Sequence, residues 1–258
     1  MGVSRVINMI SNLKNWEAYL LYKMGGKKKD HFTFQLKNNY TVTVPRAIQP
    51  EFKESLFEEV YFKQLPEEIF QRTHPVVLDI GANVGFFTIS ALFKLKQPRV
   101  ISFEPMKRNF LQLQKNLEKA GDKVTLVNKA VNDVAGELVL KFNSSLGITT
   151  SASLFDNQYG SDEERVQATT LENVFSDYQL SKIDLLKLDC EGAEYNILYN
   201  TPSHLYKKIN CIAIETHPGK EKNENKEALE KYLGDIGYIT KSRQQEFIWA
   251  YRKPEDWV

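Results

Sequence analysis

Acidic side chains crowd one turn of this 258-residue sequence. Asp189, Glu191 and Glu194 follow the apolar run 183–188, and Glu215-Thr216-His217 follows the next apolar run. Parallel strands bring their carboxyl ends to one edge of a sheet, where open α/β folds bind ligands, so we expect these groups to lie together. Carboxylates on one turn repel each other unless solvent, a cation or a positively charged ligand compensates them. Glu194 is also well explained by the positive end of a helix dipole.

His217 and Asp189 are the candidates for acid–base chemistry at this edge. The ordinary pKa of a histidine lies close to neutral pH, which suits a general base. We predict a catalytic group of His217, Asp189 and Glu191, in which His217 or Asp189 takes a proton and Glu191 orients the base or the acceptor. Asp189, Glu215 and His217 are an alternative site for a hard divalent cation. No close ligand spacing such as His-x-x-x-His supports that metal site, so we do not favour it.

A glycine-bearing turn separates a predicted strand, residues 76–80, from a predicted helix, residues 86–95. Asp79 lies at the strand end, Gly81 permits a tight turn and close approach to a ligand, and Gly85 lets the helix pack near the strand. The start of the helix leaves free N–H groups and a partial positive charge above the turn. This arrangement predicts a cofactor-binding turn.

The glycine spacing and the following strand narrow the kind of cofactor. The turn reads Gly-x-x-x-Gly and lacks the Gly-x-Gly-x-x-Gly that cradles a dinucleotide pyrophosphate. Residues 100–103 form the next predicted strand, which ends on Glu104-Pro105, where a carboxylate can accept both hydroxyls of a ribose. Ribose recognition without a pyrophosphate cradle favours a single nucleoside that carries a small charged tail. S-adenosylmethionine fits that description better than NAD does.

These residues are also compatible with two other functions. An NAD-dependent oxidoreductase shares the pattern of strand, turn and acid, although the missing third glycine counts against it. A non-catalytic binding protein could retain the same fold, although the presence of Asp79, Glu104 and Asp189 counts against a decayed site.

Strands and helices alternate from residue 75 onward. Such alternation predicts an α/β fold with a mostly parallel sheet and helices on both faces, and the two closing strands predict an antiparallel finish. The predicted strands are 76–80, 100–103, 124–127, 183–188, 211–214, 238–241 and 247–252, and the predicted helices are 86–95, 107–120 and 226–236. Residues 136–142 form a strand of a side hairpin, residues 165–171 a strand that enters a short helix, and residues 143–160 a long polar loop.

Residues 1–74 are a predicted N-terminal extension of a cofactor-binding domain, residues 75–258. Apolar groups at helical spacing over residues 3–23 predict one helix, which packs on the domain or forms a homodimer contact. The other elements expected here are a hairpin of residues 32–36 and 40–44, a helix over residues 51–65 and a solvated turn at residues 27–29. We expect the extension to shape the substrate pocket.

Composition and charge exclude several classes of partner. The 34 basic and 33 acidic residues give a net charge of +1, so no overall field favours binding to a nucleic acid. No apolar run has the length of a membrane span, and the amino terminus lacks a signal-peptide core. The 2 cysteines, Cys190 and Cys211, are expected to be reduced core residues. We therefore expect a cytoplasmic protein without an integral membrane segment.

The sequence over residues 75–252 resembles the FkbM family of S-adenosylmethionine-dependent methyltransferases. The matching stretches are Val77-Leu78-Asp79-Ile80-Gly81-Ala82-Asn83-Val84-Gly85, Phe103-Glu104-Pro105, Ala130-Val131, Leu186-Lys187-Leu188-Asp189-Cys190-Glu191-Gly192-Ala193-Glu194 and Glu215. The Asp-x-Glu-Gly-x-Glu element is the most specific of them. The resemblance implies the Rossmann-like class I methyltransferase fold, a seven-stranded sheet whose last strand is antiparallel.

The resemblance also implies a set of cofactor contacts and a reaction. The implied contacts to S-adenosylmethionine are Asp79, Gly81, Ala82, Asn83 and Gly85 around the methionine part, Glu104 and Pro105 at the ribose, Asn128 and Ala130 near the adenine, and Asp189. Members of the family commonly methylate hydroxyl groups of sugars or natural products. The resemblance therefore implies O-methylation of a small-molecule or glycan acceptor.

Overall fold

The computed structural model describes residues 3–23, 31–37, 39–143, 162–242 and 246–258 of the chain. The predicted turn at residues 27–29 lies outside these ranges, as does all but the first residue of the predicted loop at residues 143–160. The N-terminal elements, in chain order, are helices α1 Val3–Asn12 and α2 Trp16–Lys23, strands β1 His31–Gln35 and β2 Thr41–Pro45, and helices α3 Gln49–Lys53 and α4 Glu68–Gln71. β1 and β2 pair antiparallel, which confirms the predicted hairpin.

The predicted single helix over residues 3–23 is wrong, because the chain leaves the helical path between α1 and α2. Lys14 N donates to Gln35 O at 2.8 Å, and Asn15 Oδ1 accepts from Gln35 N at 2.8 Å. An asparagine side chain offers the backbone a partner that competes with the helix. The break therefore fastens both helices to the hairpin.

The predicted helix over residues 51–65 is also interrupted. After α3 the chain makes a π turn at Glu54–Glu58, Glu59 takes left-handed dihedrals with φ 52°, and a 3₁₀ turn follows at Val60–Phe62. Lys94 Nζ lies 2.6 Å from Glu59 Oε2, and this ion pair ties the break to the helix Phe86–Lys94. The break turns the 3₁₀ segment toward the main sheet, where its side chains are buried.

The remaining chain alternates between strands and helices, as its pattern predicts. The strands are β3 Val76–Ile80, β4 Arg99–Phe103, β5 Val124–Val127, β6 Ala130–Val131, β7 Gly136–Phe142, β8 Asp162–Thr169, β9 Ile183–Leu188, β10 Ile209–Glu215, β11 Ile239–Ser242 and β12 Phe247–Tyr251. The helices are α5 Phe86–Lys94, α6 Lys107–Leu117, α7 Leu171–Asp177, α8 Ala193–Asn200, α9 Ser203–Tyr206 and α10 Lys226–Asp235. The strands β6, β8 and β7 form a separate three-stranded sheet in that order.

The main sheet has seven strands in the order β11-β12-β10-β9-β3-β4-β5. β9, β10, β3, β4 and β5 run parallel to their neighbours, whereas β12 is antiparallel to both β10 and β11. The strand order reverses between β3 and β9, so the carboxyl ends of these two strands flank the crevice where such sheets bind ligands. The predicted α/β class, the seven strands and the antiparallel last strand are confirmed.

Apolar side chains cover both faces of the sheet, as expected of buried parallel strands. Leu78 of β3 and Leu186 of β9 pack in a core with residues of α7, α8 and α10. Their neighbours Val77 and Leu185 face the other side, where they pack against the 3₁₀ turn Val60–Phe62 and α5. This alternation decides which polar groups of the strands lie within the protein and which lie at its edge.

The N-terminal elements share one hydrophobic core with α5 and α6. Met9, Phe34 and Phe52 pack there with Phe86 of α5 and Leu113 of α6. The extension thus packs against the two helices that follow β3 and β4 in the chain. Among the described helices, none has both the length and the apolar character needed to cross a membrane.

Candidate active site

Two clefts open at the carboxyl ends of the central strands. The first cleft encloses about 740 Å³ including its mouth and is lined by Ile80, Gly81, Asn83, Phe103, Glu104, Pro105, Met106, Asn109, Lys129, Ala130, Val131, Leu140, Asp189, Cys190, Glu191 and Ala193. The second encloses about 410 Å³ and is lined by Glu51, Glu54, Ser55, Tyr61, Gly81, Ala82, Asn83, Phe86, Phe87, Lys187, Asp189 and Glu215. The clefts share Gly81, Asn83 and Asp189.

The turn after β3 brings two backbone segments into direct contact. Gly81 has φ +77°, and a Cβ atom there would lie 1.7 Å from the carbonyl oxygen of Asp189. Gly85 has φ +93° at the start of α5, and a Cβ atom there would lie 2.7 Å from Leu113 Cδ1. Only glycine adopts these dihedrals without strain and leaves this space. The two glycines are therefore required by the turn itself, before any ligand is considered.

Asp79 lies beneath this turn, where it is fully buried. Its Oδ2 accepts a hydrogen bond from Thr88 Oγ1 at 2.6 Å, and its Oδ1 lies 3.2 Å from Lys187 Nζ. Lys187 Nζ also donates to the carbonyl oxygen of Gly81 at 2.7 Å. Burial lowers the pKa of Lys187, but the charges of Asp79 and Asp189 outweigh it, so the net shift is upward. The pair thus holds the turn from below, whereas the sequence placed Asp79 beside the cofactor.

Glu104 is a buried carboxylate at the end of β4 that lines the first cleft. Its Oε2 accepts from Asn83 N at 2.8 Å and its Oε1 accepts from Met106 N at 2.9 Å. Burial raises its pKa to about 8, although these backbone hydrogen bonds and the charge of Lys187 act in the opposite direction. Its remaining lone pairs are the acceptors that a ribose would use.

The remaining predicted cofactor contacts are divided between the two clefts and the end of β4 beside them. Pro105 and Ala130 line it, while Ala82 lines the second cleft. Asn128 Nδ2 donates to Glu104 O at 2.9 Å and to Pro105 O at 2.8 Å. Asn128 thus fixes the backbone at the end of β4.

Glu194 organises the acidic turn from the inside. Its side chain is fully buried, and its two oxygens accept from Cys190 N at 2.8 Å and from Gly192 N at 2.9 Å. Oε1 also lies 3.0 Å from His217 Nδ1. Glu194 therefore has two roles. It is the carboxylate at the start of a helix that the sequence suggested, and it also positions His217. Glu191, with φ +54°, closes the turn in a left-handed conformation.

His217 lies next to three carboxylates and carries a proton at neutral pH. Its Nε2 lies 3.9 Å from Asp189 Oδ1 and 3.7 Å from Glu191 Oε2. Burial lowers the pKa of His217, but the hydrogen bond and charge of Glu194 and the charges of Asp189 and Glu191 raise it to about 10. A pKa of about 10 makes His217 an imidazolium at neutral pH rather than the expected base with a pKa near neutrality, because the neighbouring carboxylates stabilise its charge.

The second cleft contains groups that the sequence analysis did not single out. Tyr61 donates its hydroxyl toward Asp189 Oδ2 at 3.0 Å and Glu215 Oε2 at 2.8 Å. Burial and the charge of Asp189 raise the pKa of Glu215 to about 8. Burial, followed by the charges of Glu54 and Asp189, raises the pKa of Glu51 to about 7. The second cleft is therefore lined by several carboxyl groups, and their proximity disfavours a further negative charge in this cleft.

Lys187 could have been found from the sequence, whereas Tyr61 could not. A lysine within the apolar run 183–188 requires a buried partner, and Asp79 is the acid of a neighbouring strand. Tyr61 reaches the site only because the predicted helix breaks at Glu59, which apolar spacing does not reveal. Within the described residues no three acidic, histidine or cysteine side chains converge as a metal site would require.

The chain is similar in sequence to known methyltransferases. A model of the family described as the methyltransferase FkbM domain matches residues 79–240. Methyltransferase sdnD of Sordaria araneosa is 24% identical over 225 residues, which cover 76% of this chain and 85% of that protein. The 31-O-demethyl-FK506 methyltransferase FkbM of Streptomyces tacrolimicus is 24% identical over 217 residues, which cover 72% of this chain and 81% of that protein.

A longer protein and a solved structure are also similar to this chain. The AMB antimetabolite synthetase AmbE of Pseudomonas aeruginosa is 23% identical over 233 residues, which cover 74% of this chain but 11% of that protein. The precorrin-6y C5,15-methyltransferase from Geobacter metallireducens has 14% identity and a TM-score of 0.45, over 84% of this chain and 96% of that chain. The family match runs from Asp79 through the acidic turn to β11. The chain belongs to the FkbM family of S-adenosylmethionine-dependent methyltransferases.

Proposed function

We propose that this protein transfers the methyl group of S-adenosylmethionine to a hydroxyl oxygen of a sugar, a glycan or a natural product. The observation that carries the proposal is the meeting of two clefts at Gly81, Asn83 and Asp189. One cleft has the features of a nucleoside site, and the other is lined by hydrogen-bond acceptors. A methyl donor in the first and an acceptor in the second would face each other at this junction.

The residues of the first cleft fit S-adenosylmethionine. Glu104 offers buried carboxylate oxygens to the ribose, and Phe103, Val131 and Leu140 supply an apolar wall for the adenine. Asp189, with the neighbouring acidic turn, supplies negative charge near the positively charged end of the cofactor. When bound, the cofactor would supply an electrophilic methyl carbon on a sulfonium, with S-adenosylhomocysteine as the leaving group when an acceptor oxygen bonds to that carbon.

The second cleft suits an acceptor that donates hydrogen bonds. Glu51 and Glu54 come from the N-terminal extension, and Glu215 and Asp189 come from strand ends of the main sheet. Carboxylates accept hydrogen bonds from hydroxyl groups and repel phosphates and other acids. This polarity favours a polyhydroxylated acceptor, and it supports the proposal that residues 1–74 shape the acceptor pocket.

We propose Asp189 as the group that receives the hydroxyl proton, because it lies at the junction of the clefts and 29% of its side chain is exposed. His217, as an imidazolium, offsets the charge of Asp189 and Glu191 and keeps both carboxylates in place. A positioned base accelerates such a step by about 10²–10⁴-fold. Alignment of the two reactants supplies the larger share, since effective molarities reach about 10⁵–10⁸ M.

The name of one relative supports an oxygen acceptor. The protein from Streptomyces tacrolimicus is named a 31-O-demethyl-FK506 methyltransferase. The rival proposals are an NAD-dependent oxidoreductase and a non-catalytic binding protein that keeps the fold. Binding of S-adenosylhomocysteine without methyl transfer to any acceptor would favour the second rival.

Transfer of a labelled methyl group to a cell extract that retains its small molecules tests the proposal. Incubation with methyl-labelled S-adenosylmethionine is expected to label a hydroxylated compound, which mass spectrometry then identifies. Asp189→Asn is expected to lower the initial rate by about 10²–10⁴-fold at saturating cofactor. Asp235→Asn is the matched control, since that carboxylate is 62% exposed on the surface of α10. Label on nitrogen or on an acidic compound would contradict the proposed acceptor.

A further inference from the structure

We propose that Tyr61 is a positioning residue for methyl transfer, which ties Asp189 to Glu215 through its hydroxyl and so holds Asp189 at the junction of the clefts. This inference rests on the proposed function, because it assigns the extension a direct part in arranging the proposed base. The 3₁₀ turn that carries Tyr61 is the part of residues 1–74 that reaches this strand edge.

The hydroxyl of Tyr61 lies between two carboxylates that cannot both receive its single proton. Glu215 Oε2 is 2.8 Å away and Asp189 Oδ2 is 3.0 Å away. One stable arrangement has a protonated Glu215 donate to the phenol oxygen, while the phenol donates to Asp189. The pKa of about 8 that burial and Asp189 impose on Glu215 is consistent with that arrangement at neutral pH. Asp189 then keeps its charge and one fixed hydrogen bond.

Packing fixes the position of the Tyr61 ring. Its centroid lies 5.3 Å from that of Phe87 in an edge contact and 5.5 Å from that of Phe247 in another. Trp249 Nε1 donates to the carbonyl oxygen of Val60 at 3.0 Å, which ties the 3₁₀ turn to β12. Because the ring is buried and held on both sides, its hydroxyl cannot follow Asp189 if that carboxylate moves. Tyr61 therefore fixes the position of the Asp189 carboxylate, and not the reverse.

Charged groups from every neighbouring element face this arrangement. They are Glu51 and Glu54 from the extension, Lys187 and Asp189 from β9 and its end, and Glu215 and His217 from β10 and its end. Lys187 Nζ lies 3.5 Å from the same Asp189 oxygen that Tyr61 contacts. Asp189 Oδ2 is thus held by a cation and a hydroxyl, and Oδ1 is the oxygen left to meet the acceptor and His217. Tyr61 selects which oxygen is presented.

Tyr61→Phe removes the hydroxyl and keeps the ring. We expect the maximum rate of label transfer to the extract to fall by about 10- to 100-fold, since displacement of a reacting group by an ångström has effects of that order. The half-saturating amount of extract and the affinity for S-adenosylhomocysteine, measured by calorimetry, should stay unchanged. In the background of Glu215→Gln the same change should have a smaller effect, because the bridge is already altered.

Tyr238→Phe is the matched control, because its buried hydroxyl donates to Tyr206 O and Ile209 O away from both clefts. It should lower the midpoint of thermal unfolding and leave the rate unchanged. A crystal structure of Tyr61→Phe with S-adenosylhomocysteine gives a readout without any acceptor, and there we expect the Asp189 carboxylate to rotate from its position in the native protein.

An unchanged maximum rate or an unchanged Asp189 carboxylate in the Tyr61→Phe protein would overturn the inference. A loss of rate that only parallels a loss of cofactor affinity or of folded protein would overturn it as well. If the native protein transfers no label to the extract, the proposed function fails. The crystal structure then still decides whether Tyr61 holds Asp189, so the two failures are distinguishable.

Discussion

Asp79 and Lys187 occupy facing positions on the neighbouring parallel strands β3 and β9, with Asp79 Oδ1 3.2 Å from Lys187 Nζ. Both side chains are buried, and the lysine also donates to the carbonyl oxygens of Ile80 and Gly81. The ion pair thus joins the two strands between which the strand order reverses. It fixes the glycine turn and the acidic turn relative to each other.

Lys187→Met should destabilise the protein strongly. The change leaves the Asp79 carboxylate buried without its cation, and loss of one partner of a buried pair costs about 3–5 kcal/mol. Urea denaturation followed by circular dichroism measures the free energy of unfolding. Lys231→Met is the matched control, because the Lys231–Asp235 pair is exposed and contributes about 0–1 kcal/mol. Equal losses in the two variants would show that the buried pair has no special role.

Gly81→Ala and Gly234→Ala should have opposite effects. At Gly81 the new methyl group would collide with the backbone of Asp189, and φ +77° adds strain, so we expect loss of folded protein or of cofactor binding. Gly234 lies within α10 with nothing within 4 Å of a new Cβ atom. There alanine should stabilise the protein by about 0.5–1 kcal/mol. Thermal unfolding checks both, and a stable Gly81→Ala protein with native cofactor affinity would contradict the turn geometry.

The free energy of unfolding should fall as the pH rises from about 4.5, the ordinary pKa of a glutamate, to about 10, the pKa of His217. The pKa of His217 is raised from 6.5 to about 10, so its contribution is complete below the lower value and is lost as the pH rises to the upper one. Glu104 and Glu215 act in the same direction, since their pKa values are raised from 4.5 to about 8 and a buried neutral carboxyl must ionise.

Urea denaturation at about pH 6, 8 and 10 measures this dependence. His217→Asn should flatten the part of the curve above about pH 8, where the two carboxyl groups have finished titrating. A free energy of unfolding that rises between pH 6 and pH 10 would show that the carboxylates do not stabilise the charge of His217.

The sequence indicated the strand-end chemistry because its motifs are local. The turn from Asp79 to Gly85, the acid at Glu104 and the acidic turn from Asp189 to Glu194 each follow an apolar strand directly. Parallel topology then brings them to one edge, so the positions of strands and site could be inferred together. The fold could therefore be predicted from local sequence patterns, because the alternation of strands and helices already implies its long-range contacts.

The second cleft could not be inferred in the same way. Its wall depends on the break at Glu59, which turns Tyr61 to the sheet, and helical spacing over residues 51–65 does not distinguish a broken helix from a continuous one. The charge of His217 depends on Glu194, which lies 23 residues away along the chain. Protonation states are set by such contacts between elements, and a list of residue types does not contain them.

Calorimetric titration with S-adenosylhomocysteine and, separately, with NADH tests the central claim most directly. We predict binding of S-adenosylhomocysteine and no detectable binding of NADH. Glu104→Gln should weaken the first by about 10- to 100-fold, because the amide nitrogen cannot accept a hydrogen bond and a buried hydroxyl left without its acceptor costs about 1–3 kcal/mol. Glu137→Gln, at a side chain that is 50% exposed, is the matched control and should bind as the native protein does. Tight binding of NADH, or S-adenosylhomocysteine affinity that Glu104→Gln leaves unchanged, would contradict the account.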